Sequence, residues 1–286
     1  MSERNQAGSG GRPPASRPSS RVKKPDRPVI LVSNDDGIHS PGIAALATAL
    51  EAIGEVWVVA PDRERSAVGH ALTLHRPLTA DQMGPRRYAV NGTPSDCVNL
   101  ALLGLLPVRP RIVVAGVNAG SNLGDDVTYS GTVSAALESV LLGVPGLAVT
   151  LVQPTTPTSY RPAARAAAQL TQLMLRDPNR PVTLLNVNVP PGQPRGVRVT
   201  RLGRRLYSEK VVERQDPRGR RYFWIGVGPP AWESGEDTDH AAVHAGYVSV
   251  TPLMLDLTDY PGLRALKGWE KDYRRAPRAR KSGEGR

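Results

Sequence analysis

The sequence predicts an α/β protein, a doubly wound, mostly parallel sheet with helices on both faces, extended at its C-terminal side by a β-hairpin. Three observations carry this prediction. Short β-branched runs alternate with helical stretches from residue 29 to residue 189, and strands separated by helices run parallel in one sheet. The runs are apolar nearly throughout, as strands covered on both faces are. After Pro194 the pattern changes to alternating segments around a turn.

Val29–Ser33 (VILVS) is a continuous apolar run that suits a buried parallel strand, and 41–53 (PGIAALATALEAI) places apolar residues at helical spacing behind a proline at the helix start. Residues 55–60 (EVWVVA) form the next strand and complete one βαβ unit. A helix over 94–105, a strand over 112–117 (IVVAGV), a helix over 132–142 and the strand Gly146–Leu151 (GLAVTL) give a second. An Ala/Leu-rich helix over 161–175 leads to a strand over 183–189 (TLLNVNV). Beyond Pro194, segments 197–202 and 207–215 and then Arg221–Val227 alternate around DPRG at 216–219, the chemistry of a hairpin turn. Residues 246–250 read as a further strand and 263–269 as a short helix, and no repeat is visible.

At 286 residues the chain makes one large domain or two small ones. Its net charge of +11 first suggests a nucleic-acid binder. Residues 1–28 hold seven Lys/Arg against Glu3 and Asp26, and residues 264–286 hold nine against Glu270, Asp272 and Glu284. The stretch between has 21 basic and 21 acidic residues and is neutral. Residues 1–28, rich in Gly, Pro, Ser and Arg, are too poor in apolar residues to offset the entropy of ordering and read as a disordered basic tail, as does the chain end. They contain no apolar core of a secretory signal. Solubility is the plain role for such tails, contact with RNA or another polyanion the sharper one. A single cysteine, Cys97, excludes an internal disulfide and a cysteine-rich zinc site and points to a reducing, cytoplasmic setting. No apolar run spans a bilayer. The expected organisation is a tail over 1–28, a catalytic core over 29–194, a hairpin and oligomerisation segment over 195–263, and a short helix with a basic tail over 264–286. Residues 195–227 carry ten Lys/Arg and three acids while 228–263 carry six acids and no Lys/Arg, so the two segments should attract one another.

Three polar loops follow strands. The first strand runs into Ser33-Asn34-Asp35-Asp36-Gly37. Adjacent carboxylates at a strand end resist burial unless a cation or donors neutralise them, and hard oxygen ligands suit Mg²⁺ or Mn²⁺; the plain alternative is a turn with a helix cap. The run from Gly116 to Asp126 leads to Ser130-Gly131-Thr132 at a helix start, an anion site or simply a cap. Asn118, where its strand ends, faces Asp35 and Asp36 if the two strands are neighbours. In the third loop Ser66 offers a hydroxyl to a metal and His70 a proton-transfer group, with His39 as a rival; either histidine can instead be structural. Together these groups describe metal-assisted phosphoryl chemistry, in which a metal-activated water attacks phosphorus. No P-loop motif is present, and the aspartates lack the DxD spacing of a phospho-aspartate enzyme.

The blocks ILVSNDDGIHSPGI (30–43), VVAPDRERSAVGHALTL (58–74), VNGTPSDCVNLAL (90–102), VVAGVNAGSNLGDDVTYSGTVSAALES (113–139) and DPRGRRYFWIG (216–226) resemble the SurE family of 5′-nucleotidases, from about residue 29 to residue 258. The resemblance leaves both tails uncovered. It implies a Rossmann-like three-layer sandwich and a metal-dependent phosphomonoesterase acting on nucleoside 5′- and 3′-monophosphates, in some members on short polyphosphate. It implies one divalent ion per subunit, held by Asp35, Asp36, Ser66 and Asn118, with Asn34 and Ser130, Gly131 and Thr132 near the phosphate. It further implies a homodimer or homotetramer built by exchange of C-terminal segments and hairpins. Many members have asparagine where this chain has His70. A polyanion-binding protein acting through its tails, a short-chain exopolyphosphatase and an inactive nucleotide-binding regulator are the rival readings; the intact Asp35, Asp36, Ser66 and Asn118 speak against the last.

Overall fold

The computed structural model describes residues 27–177, 184–206, 210–227 and 231–275. The expected tails lie largely outside these residues, as do the first residue of the strand expected at 183 and the start of the segment expected at 207. In chain order the elements are β1 (Val29–Ser33), α1 (Pro41–Glu51), β2 (Glu55–Pro61), β3 (Ala80–Gly84), β4 (Arg87–Val90), α2 (Pro94–Leu100), β5 (Ile112–Ala119) and α3 (Gly131–Leu141). There follow β6 (Gly146–Leu151), α4 (Arg161–Arg176), β7 (Leu184–Val189), β8 (Val197–Val199), β9 (Arg205–Leu206), β10 (Lys210–Gln215), β11 (Arg221–Val227), β12 (Ala231–Trp232), α5 (Asp239–His244), β13 (Val248–Pro252), α6 (Tyr260–Leu266) and α7 (Trp269–Arg275).

Nine strands form one sheet in the order β3-β4-β2-β1-β5-β6-β7-β13-β8. The six from β4 to β7 are parallel neighbours, and β3 and β13 pair antiparallel to β4 and β7. Strand β1 is buried along its whole length because it lies between two others under helices on both faces. Its side chains divide by the two-residue period: Ile30 and Val32 join the core under α1 and α4, while Leu31 joins the core under α2 and α3. Helix α1 starts where Ser40 accepts a hydrogen bond from the Ile43 amide with Pro41 in the first turn, and it buries Ile43, Leu46 and Leu50. Burying each of these side chains stabilises the fold by about 1.5–3 kcal/mol.

The expected βαβ units are present, with shifts that have local causes. The helix predicted over 94–105 is α-helical only to Leu100 and widens into a π-turn over Ala101–Leu105. The hairpin of β3 and β4 was not predicted: ADQMG lacks β-branched residues, and Arg86 makes its turn at φ 58. The helix predicted over 263–269 is two helices, α6 and α7; Asp259 accepts from the Gly262 amide at 3.0 Å with Pro261 in the first turn, which sets the earlier start. The segment after 194 contributes β8 and β13 to the main sheet, as well as the separate two-stranded pair β10–β11. The predicted attraction between its basic and acidic halves is realised within one subunit: Arg201 pairs with Asp237 at 2.8 Å and β9 pairs with β12.

Candidate active site

Because β2, β1 and β5 are adjacent and parallel, the loops leaving them emerge side by side at the carboxyl edge of the sheet. The turn after β1 is locked by Asn34, whose fully buried side-chain amide donates to the Gly37 carbonyl at 3.0 Å and to Ser40 Oγ at 2.8 Å. Both side-chain N–H groups are thereby engaged in the turn, and the Asn34 side chain shapes the loop. Gly37 adopts φ +91, and a Cβ there would fall 2.9 Å from the Arg63 carbonyl carbon.

Asp35 is buried beneath the start of α3. The Thr132 hydroxyl donates to Asp35 Oδ1, and a Cβ on Gly131 would fall 2.8 Å from Asp35 Cβ, so only glycine lets the helix come this close. Ser130 Oγ accepts from the Val133 amide at 3.1 Å, the helix cap that the sequence left open as an alternative to an anion contact. Asp36 is partly exposed, and its Oδ2 accepts from the Ala119 amide at 3.1 Å, which ties it to β5 next to Asn118. Asn118 is buried; its Nδ2 donates to the Gly120 carbonyl at 2.8 Å, and among the described residues nothing donates to its Oδ1. The third loop is pinned from Arg65, whose amide donates to the Asp35 carbonyl at 2.7 Å, and from Ile38, whose amide donates to the Pro61 carbonyl at 2.8 Å. Ser66 Oγ, exposed, donates to Glu64 Oε1 at 2.9 Å.

Electrostatics single out the aspartates. Burial raises the pKa of Asp35, partly offset by hydrogen bonds from Thr132. Burial, then the charge of Asp35, pushes Asp36 up to about 6, partly offset by the Ala119 amide. The charge of Glu64 adds the smallest upward contribution to both. Two carboxylates held this close, with a carbonyl oxygen and a hydroxyl beside them, fit a hard divalent cation. Among the described residues no group of three or more His, Cys, Asp and Glu converges as a metal cluster, so amide and hydroxyl oxygens would have to complete such a site.

His70 lies farther along α3. Its Nε2 is 2.7 Å from Glu138 Oε2, and Asn99 Nδ2 donates to Glu138 Oε1 at 2.8 Å. The buried Glu138 therefore fixes the imidazole, and the Gly69 amide anchors the same loop on the Tyr129 carbonyl at 3.1 Å. His39 is exposed beside the first turn. Cys97 is a core group whose thiol pKa burial raises well above its usual value. Sequence reasoning missed Glu64 and Glu138. The first had a signal, since it stands two residues before Ser66; the second reads as one polar position of an amphipathic helix.

The chain is similar to known proteins over most of its length. The family model described as Survival protein SurE matches residues 30–209. The 5′-nucleotidase SurE of Syntrophotalea carbinolica is 56% identical over 246 residues, 86% of this chain and 98% of that protein. That of Geobacter metallireducens is 54% identical over 244 residues, 84% and 97% of the respective chains. The crystal structure of the SurE protein from Aquifex aeolicus is similar with a TM-score of 0.75 at 42% identity, covering 85% of this chain and all of that one.

Proposed function

This chain belongs to the SurE family, and from that premise we propose that it is a metal-dependent 5′-nucleotidase, releasing phosphate from nucleoside 5′-monophosphates. The observation that carries the reading is the adjacent pair of Asp35, buried beneath the start of α3, and Asp36, partly exposed and tied to β5 next to Asn118, whose side-chain oxygen accepts from no described residue. We assign Asp35, Asp36, Asn118 and Ser66 to one Mg²⁺ or Mn²⁺ ion per subunit. When bound, the ion neutralises the carboxylates, polarises the phosphate and lowers the pKa of the attacking water.

The residues of the chain do the rest. Asp35, oriented by Thr132, takes the proton of the water on its carboxylate, and its burial raises its proton affinity. The amino end of α3, at Ser130, Gly131 and Thr132, offers its partial positive charge to the phosphate. His70, oriented by Glu138 through Nε2, gives a proton from its other ring nitrogen to the departing nucleoside oxygen. Nucleoside 3′-monophosphates present the same phosphomonoester and are accepted as well. The exposed Phe223, Trp224 and Ile225 on the separate β10–β11 hairpin support pairing with a second copy, as homodimer or homotetramer. Its single, buried cysteine fits the reducing cytoplasm.

The test is Asp35→Asn assayed for phosphate release from AMP and GMP in added Mn²⁺. Loss of activity by about a hundredfold or more with an unchanged fold is expected. Retention of most of the activity would overturn the assignment.

A further inference from the structure

The rings of Trp232 and His240 are stacked with centroids 4.5 Å apart and planes 15° apart, and His244 continues the column at 6.0 Å and 11°. All three line a cavity of ≈ 360 Å³ that also takes in Ser121 and Gln153. It opens at the same carboxyl edge as the aspartates. Ser121 stands three residues beyond Asn118, and Gln153 follows β6, where the Leu151 carbonyl accepts from the Gly120 amide at 3.0 Å.

The column is anchored to the site loop. A Cβ on Gly124 would fall 2.7 Å from the Trp232 ring, and the buried Asp239 carboxylate accepts from the Gly124 and Gly203 amides at 2.8 Å each. Burial, followed by the charge of His244, lowers the proton affinity of His240, with Asp239 opposing, so its ring is uncharged at neutral pH. A cavity with flat rings on one wall and a hydroxyl and an amide at its rim suits a planar heteroaromatic group with polar edges.

We infer that this column is the platform on which the nucleobase of the substrate stacks, with Ser121 and Gln153 meeting the polar edge of the base or its ribose. The inference rests on the mononucleotide reading of the neighbouring aspartates and adds to it a site for the nucleoside part. Stacking tolerates any base because every base has a π-face; the platform therefore favours nucleotides over other phosphomonoesters without choosing sharply among bases.

The experiment compares AMP with ribose 5-phosphate in wild type, His240→Leu and His240→Phe. His240→Leu should lower the ratio of kcat/KM for AMP to that for ribose 5-phosphate about five- to tenfold, through the KM for AMP. His240→Phe, which keeps a flat ring, should restore the ratio. A second measurement, saturation-transfer NMR of adenosine with the EDTA-treated protein, should detect binding to wild type and His240→Phe and lose it in His240→Leu. If His240→Leu lowers both substrates equally and adenosine binding is unmoved, the column is only structural and the inference fails while the nucleotidase reading stands. If wild type hydrolyses no mononucleotide, the nucleotidase reading fails, and adenosine binding still decides for or against the platform.

Discussion

Replacing Asp36 by asparagine should stabilise the metal-free protein. Burial and the neighbouring Asp35 push the Asp36 pKa from 3.8 to about 6. A carboxyl group whose folded-state pKa is raised binds protons more tightly in the native state, so stability is greatest at low pH and falls as pH rises from the unfolded value through about 6. At about 1.4 kcal/mol per pH unit the full shift amounts to about 3 kcal/mol at pH 7.5, which solvent screening of this partly exposed side chain reduces to roughly 1–2 kcal/mol. Asparagine removes the charge and keeps an oxygen able to accept from the Ala119 amide, which lies 3.1 Å from Asp36 Oδ2. For a chain of this size the gain is a rise in Tm of roughly 3–6 °C. Thermal melts of EDTA-treated protein from pH 4.5 to 8 measure it. The variant should melt higher than wild type at pH 7.5, by a margin that shrinks to roughly a third at pH 4.5, and gain far less from added Mn²⁺. An Asp36→Asn protein that melts at or below wild type at pH 7.5 without metal would refute the reasoning.

Thr132→Val removes the hydroxyl that donates to Asp35 and so removes an interaction that lowers the Asp35 pKa; the pH at which Mn²⁺ binding reaches half its maximum should move up by roughly half to one pH unit, as followed by calorimetric titration between pH 5 and 8, and an unmoved midpoint would show that the bond does not tune the carboxylate. His70→Asn should slow AMP hydrolysis by about a hundredfold but p-nitrophenyl phosphate, whose leaving group needs no proton, far less; equal losses on the two substrates would leave His70 holding its loop against Glu138 and nothing more.

Much of the fold could be read along the chain because its central strands are buried on both faces. Runs such as VILVS and IVVAGV have no other comfortable place than the middle of a covered sheet. The β3–β4 hairpin escaped because it sits at the sheet edge, half exposed, where ADQMG needs no apolar pattern to pair. At the site, the carboxylates and Asn118 were legible because they follow β1 and end β5, and chain order alone puts strand ends on one edge. The local bonds of the Asn34 side chain were not legible: only the positions of Gly37 and Ser40 show where its side-chain N–H groups go. Glu138 was hidden for a related reason, since its hydrogen-bond partners His70 and Asn99 lie 68 and 39 residues away in the chain.

A parallel sheet delivers its loops as a row, and a row of loops is not yet a site. Here each loop takes its shape from a neighbour. The Arg65 amide rests on the Asp35 carbonyl, the Ile38 amide on the Pro61 carbonyl, the Ala119 amide on Asp36 Oδ2, and α3 closes over Asp35 through Thr132. The two backbone–backbone bonds hold whatever the ionisation of the carboxylates, while the two that end on carboxylate oxygens favour their charged forms. Gathering the carboxylates has a consequence: burial raises the proton affinity of both Asp35 and Asp36, and for Asp36 the nearby charge of Asp35 adds to it. On the proposed metal assignment, a proton removes the charge of Asp36 below about pH 6 and a cation balances it above, so protons and metal compete for the same pair and metal binding is coupled to the stability of the fold.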